Sequence, residues 1–229
     1  MSYDPRTIAF GAEIVHPPIQ LKTEGVQTIH SQLFKQSELA YQNFQVQNDG
    51  IHLSNPPQAP GSVSMATFTP DRIILREEFR PCTVEEFATR VVNVASLAQK
   101  TLGVPVSLAQ QFWTRSLVNP KHFSDSRTFV AERMLGGDPS SIGTFDRPMH
   151  TAGIRLTFPQ NEQQRNLINL RIEPWPQDPR SLWIEVVGQY TGQVTTENLP
   201  EVSNYLYSTY QFLTGPTFAY VESFDQPPS

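Results

Sequence analysis

The sequence predicts an α+β fold made of one curved antiparallel sheet with helices on one face. Two observations carry this. The stretch Thr83–Gly103 repeats apolar residues every three to four positions, as an amphipathic helix does, and strand-like alternation flanks it on both sides. The order of segments also recurs: strand, helix, four strands, helix, then strand, helix, three or four strands, helix. That recurrence predicts a tandem duplication. Residues 1–104 form a first repeat, residues 105–221 a second repeat fused into the same sheet, and 222–229 a flexible tail.

Taken in order, Ile8, Phe10, Ala12 and Ile14 alternate, so residues 7–15 read as a strand that Pro17 and Pro18 end. Residues 23–41 read as a helix with Val26, Ile29, Leu33, Phe34 and Tyr41 on or near one face. Residues 44–53 read as a hairpin, with Asp49-Gly50 supplying the positive φ angles of a two-residue turn. Its register puts Phe44, Val46, Ile51 and Leu53 on one face. Asn55–Ser62, with three prolines and a glycine, is a loop. Residues 63–69 and 72–79 form a second hairpin around Pro70-Asp71. In the Thr83–Gly103 helix, Thr83 and Glu86 match a capping box, and Gly103 stands where a left-handed cap closes a helix. Leu97 falls off the apolar stripe and needs separate cover.

In the second half, residues 106–118 read as a strand closed by Pro120, and Ser124–Leu135 as a helix. Leu135–Ser141 is a loop. Residues 150–158, 166–173 and 181–190 alternate as strands, and the Pro174–Pro179 connection is stiffened by proline. Asn198 is expected to cap a last helix that has Pro200 and Glu201 in its first turn. The halves align at specific places. Ile14-Val15-His16-Pro17 corresponds to Leu117-Val118-Asn119-Pro120. At one common offset Val84, Glu86, Phe87 and Val91 meet Leu199, Glu201, Val202 and Leu206. The duplication makes Phe87 and Val202 equivalent, both buried against strands.

This order of elements resembles the TATA-binding-protein-like fold, in which two copies join into one curved antiparallel sheet with helices on its convex face. The resemblance is topological, spans most of the chain and rests on no sequence motif. It implies an architecture and no activity. A helix-grip fold, with a sheet wrapped around a long C-terminal helix, is the alternative.

Composition limits the functions. The 229 residues carry a net charge of −5, which disfavours a general nucleic-acid binder, since such a protein needs a positive surface. After Arg180 there is no Lys or Arg. No apolar run approaches the roughly 18–20 residues that span a bilayer. The start of the chain lacks a basic segment followed by an apolar core, and Cys82 stands alone, so a reduced cytoplasmic setting is expected. His16, His30, His52, His122 and His150 lack the paired spacing of a metal site, and no cofactor is implied. His30 lies beside its helix stripe and reads as a packed histidine. Gly136–Gly143 lacks the Gly-Lys-Ser/Thr ending of a phosphate loop and reads as a turn-rich connection. There is no Gly-x-Ser-x-Gly elbow. Cys82 could gain thiolate character from the helix that follows it, although a structural cysteine is the plainer reading.

The richest surface is the sheet face turned away from the helices. Alternation places Arg76 and Glu78 there, then Trp113 and Arg115, Arg155 and Thr157, Asn169, Arg171 and Glu173, and Trp183 and Glu185. From these, Trp113, Arg115, Arg155, Arg171, Glu173, Trp183 and Glu185 form the candidate ligand-binding set. Arginine outnumbers lysine thirteen to four, and its flat guanidinium suits bidentate contact to carboxylate or phosphate. The same pattern also suits cross-strand ion pairs on a solvated sheet. Two functions are compatible with it. One is a non-enzymatic binding or assembly module that uses the open face or an edge of the sheet, with a protein partner or a second copy. The other is a small-molecule or anion-binding enzyme with an Arg/Glu site on the concave face.

Overall fold

The computed structural model describes residues 3–4, 6–36, 38–137, 146–147 and 149–227. Alternating segments produce the strands β1 (Arg6–Val15), β2 (Asn43–Gln47), β3 (Gly50–Ser54), β4 (Val63–Phe68) and β5 (Arg72–Glu78). The second half adds β6 (Val106–Ser107), β7 (Ala109–Val118), β8 (Ile154–Phe158), β9 (Asn166–Pro174), β10 (Leu182–Tyr190) and β11 (Val194–Thr195). Nine of them form one antiparallel sheet in the order β2-β3-β4-β5-β1-β7-β10-β9-β8. The opening strands of the two halves, β1 and β7, therefore pair at its middle. β6 and β11 pair separately. The protein is thus α+β, with a large antiparallel sheet and helices packed on one side of it.

The helix α1 (Thr23–Phe34) and α2 (Val84–Leu102) cover the first half. α2 forms where its sequence requires. Thr83 Oγ1 accepts from Glu86 N at 3.2 Å, and a Glu86 carboxylate oxygen accepts from Thr83 N at 2.8 Å. Gly103 takes φ 68° and ends the helix. Thr83→Ala removes one half of this reciprocal pair and is expected to cost about 1 kcal/mol in urea denaturation. The buried stripe of α2 includes Phe87, Val91, Val94 and Ala98. It packs with Phe10 and Ile14 of β1 and Val26 and Ile29 of α1 in a first core, and the off-stripe Leu97 packs against that core. A second core joins Phe129 and Val130 to Leu170, Ile184, Leu213 and Phe218.

Several boundaries differ from the sequence expectation, each for a physical reason. α1 ends at Phe34 rather than at 41. Leu39 and Tyr41 are both buried, and two residues apart on a helix would face nearly opposite ways, so a non-helical segment brings both inward. The first hairpin has its expected register, Phe44 with Leu53 and Val46 with Ile51. Its turn residues, however, are Asn48-Asp49, with Gln47 opposite Gly50, and Gly50 carries the positive φ of 147°. The strand at 106–118 is split at Leu108 between the two sheets. The helix expected at Ser124–Leu135 is a short α3 (Ser126–Thr128), capped by Asp125, which widens into a π-helix at Phe129–Met134. Asn198 does not cap α4 (Glu201–Phe212): its carboxamide oxygen turns back to accept from Thr195 N at 2.6 Å. α4 then passes through a π-helical turn, Leu213–Thr217, into α5 (Phe218–Phe224). The wider turn accommodates Pro216, which has no N–H to donate.

The first residues of the segment expected as a flexible tail from Glu222 continue this helical stretch. Residues up to Phe224 are helical, and Asp225 is buried. Its carboxylate accepts from Tyr3 Oη at 2.5 Å, Lys121 N at 2.6 Å and His122 N at 3.0 Å. The helix α2 lies mid-chain, and the C-terminal helical stretch, continuous from Glu201 to Phe224, packs beside it on the same sheet face. No described helix is long and apolar enough to cross a membrane.

Candidate functional site

The pleat of four strands builds the site. In β7, β9 and β10, residues such as Phe112, Leu170 and Ile184 point into the cores, so their neighbours Arg115, Arg171, Trp183 and Glu185 emerge on the open face. Register then aligns opposite charges. Glu185 stands directly across from Arg115 on one side and Arg171 on the other. Arg115 Nε donates to Glu185 at 2.7 Å, and Arg171 lies 3.6 Å from the second Glu185 oxygen. Arg171 also donates to Glu173 at 2.8 Å. The Glu173 hydrogen bond, with the charges of Glu173 and Glu185, holds the Arg171 guanidinium above its ordinary range. At the other end of the row, Glu78 of β5 meets Arg76 at 3.0 Å and Arg115 at 3.4 Å. That second contact crosses β1, where the intervening residue is the small Ala9. Both Arg115 and Arg171 lie over the Trp183 ring, at 5.8 and 5.1 Å from its centroid.

A groove of about 450 Å³ opens above this row. Ile8 and Ala9 form an apolar part of its lining, while Phe79, Trp175 and Trp183 supply aromatic surface. Phe79 has φ 51°, a left-handed conformation that is strained for a bulky residue. Its N–H donates to Ile8 O at 2.7 Å, and its side chain remains 42 % exposed. The ring stands 6.4 Å from that of Trp175. Trp175 is held by the proline-stiffened connection, where its N–H donates to Ser181 O at 2.8 Å.

The groove brings together five of the candidate residues: Arg115, Arg171, Glu173, Trp183 and Glu185. Two stand apart. Trp113 lies across Gly11 of β1, so close that a Cβ there would fall 1.8 Å from its ring. Arg155 is exposed on the edge strand β8, in register with the like-charged Arg171. Phe79 and Trp175 are the residues that alternation missed. Trp175 had a signal, an aromatic held between prolines. Phe79 had none, because its backbone conformation leaves no trace in the residue pattern.

Elsewhere, burial, reinforced by the nearby Glu77, pushes the Cys82 thiol up to about 12. It is therefore neutral at physiological pH, despite the helix N-terminus beside it. His30 packs as expected, with Nε2 2.8 Å from Tyr41 O. Among the described residues, no group of three or more His, Cys, Asp or Glu is placed to hold a metal ion. Most of the Gly136–Gly143 segment lies outside the described residues. No protein-family model matches the chain, and no curated protein matches it.

Proposed function

We propose that the chain is a non-enzymatic binding module and that the groove between Phe79, Trp175 and Trp183 is its recognition surface for a protein segment. The observation that carries this is the coincidence of three partly exposed aromatic rings, one on a strained backbone, with an arginine–glutamate row beneath them. Tryptophan and arginine supply much of the binding energy at protein interfaces. A volume of about 450 Å³ accommodates a few side chains. The carboxylates favour binding over acid–base catalysis, because Glu78, Glu173 and Glu185 are each engaged by at least one arginine. An Arg/Glu catalytic site remains the second reading, and its test is catalytic turnover that depends on one of those carboxylates.

The internal duplication belongs to the same proposal. Outward from the β1–β7 pair, the order β5-β4-β3 on one side is matched by β10-β9-β8 on the other. Phe87 and Val202 are both fully buried, which supports their equivalence. On this reading the groove lies close to the junction of the two repeats, where their charged rows meet.

Panning a random-peptide library against the purified chain tests the assignment. Enriched peptides are expected to bind the wild type and to lose at least tenfold in affinity to Trp183→Ala. Failure to enrich any peptide, or binding unchanged in that variant, would contradict it.

A further inference from the structure

The two outer strands of the sheet are guarded unequally. β8 carries the exposed Arg155, and Phe158 at its end packs on Phe212 with ring centroids 5.2 Å apart. A charge on an edge strand discourages another strand from pairing with it. β2 has no such guard. Residues 40–48, Ala-Tyr-Gln-Asn-Phe-Gln-Val-Gln-Asn, contain no charge. Four of the five β2 residues are exposed, Val46 at 59 %, and the neighbouring Phe34 of α1 at 57 %.

The hydrogen-bond pattern shows what this edge offers. Asn55 N donates to Ser64 O, which commits the odd-numbered residues of β3 to β4. The even-numbered residues of β3 face Asn43, Gln45 and Gln47 and bond to them. The N–H and C=O groups of Phe44 and Val46 therefore point out of the sheet. An antiparallel strand centred on Gln45 would place its own Phe44 opposite Val46 and its Val46 opposite Phe44. The outward backbone groups would then meet in matching pairs. Phe44 and Val46 would touch on the helix side, close to Phe34, while Gln45 would face Gln45 and Asn43 would face Gln47 on the other.

We propose that β2 is a homodimerisation edge, pairing antiparallel with β2 of a second copy about a two-fold axis through Gln45. A second copy fits better than an unrelated strand for two reasons. The polar–apolar alternation of Asn-Phe-Gln-Val-Gln is its own complement when reversed. The chain carries −5 overall, yet two copies meet here with no charge opposing another within the strand. Pairing would continue the sheet from one copy into the next. This edge is separate from the groove, so its fate leaves the groove reading untouched.

Sedimentation velocity from micromolar to several hundred micromolar, combined with residue-resolved amide exchange, tests the proposal. The mass should rise from 25.9 kDa toward twice that value. Exchange at the Phe44 and Val46 amides should slow with concentration, while Gln45 and Gln47, already bonded to β3, stay constant. Val46→Lys should remain monomeric at every concentration with unchanged thermal melting, and Thr157→Lys on β8 should dimerise like the wild type. A strict monomer, concentration-independent exchange at Phe44 and Val46, or a dimer lost in Thr157→Lys but kept in Val46→Lys would overturn it. The exchange measurement uses the wild type alone and does not depend on any variant folding.

Discussion

Asp225→Ala is expected to lose on the order of 4 kcal/mol of stability, taking hydrogen bonds to a charged group at about 1.5–3 kcal/mol each and less than additive. The carboxylate ties three distant parts of the chain together: Tyr3 near the start, the Lys121-His122 backbone after β7, and the end of α5. Burial raises its pKa, but the Tyr3 hydroxyl and the two backbone N–H groups outweigh that and hold it below the usual aspartate range. The sign of the pH effect follows. The folded state gives up this proton more readily than the unfolded chain. The stabilisation is therefore complete above the ordinary aspartate range and is lost as pH falls through the lowered value. Urea denaturation at a series of acidic pH values should show the wild type losing this increment and Asp225→Ala lacking it. Tyr3 remains a donor throughout, because burial and then the Asp225 contact raise its own pKa. A variant as stable as the wild type at neutral pH would show that the C-terminal segment is not anchored in this way.

Phe87→Ala is expected to cost about 3–5 kcal/mol, the range for removing a buried aromatic side chain from a packed core. Phe87 is fully buried, and its ring stacks on Phe10 of β1 at 5.6 Å with an interplanar angle of 19°. It is the point where the long helix rests on the centre of the sheet, so neighbouring atoms cannot collapse far into the space. Phe87→Leu retains much of the volume and should cost roughly 1–1.5 kcal/mol. Equilibrium denaturation monitored by far-ultraviolet circular dichroism measures both. Equal losses in the two variants would mean that the site depends on the aromatic ring rather than on filled volume.

The elements that were legible in the sequence are those whose determinants are local. α2 could be read because its cap, stripe and terminal glycine lie within one continuous stretch. The central part of the charged row could be read because a period of two assigns faces without any knowledge of strand order. What escaped depended on neighbours far along the chain. The end of α1 is set by where Tyr41 must go to be buried. Asn198 resembled a helix cap, but its carboxamide accepts from the N–H of Thr195, three residues back. Pro216 lies inside the C-terminal helical stretch, where a π-helical turn carries the chain past it. In the site, Arg155 shared the alternation of the other candidates but sits on the outermost strand, a position that only the strand order reveals. Trp113 shared it too, and was drawn aside by the space above Gly11. Phe79 entered the groove through a backbone angle that phenylalanine rarely adopts.

On the proposed function, the groove on the open sheet face recognises a protein segment. Its most direct test is amide and indole chemical-shift mapping of the isotope-labelled chain, titrated with a peptide selected against it. Shifts are expected to concentrate at Phe79, Trp175, the Trp183 indole, and the Arg115 and Arg171 side chains. Saturable shifts confined to the sheet edges or the helical face, with those five residues unmoved, would contradict it.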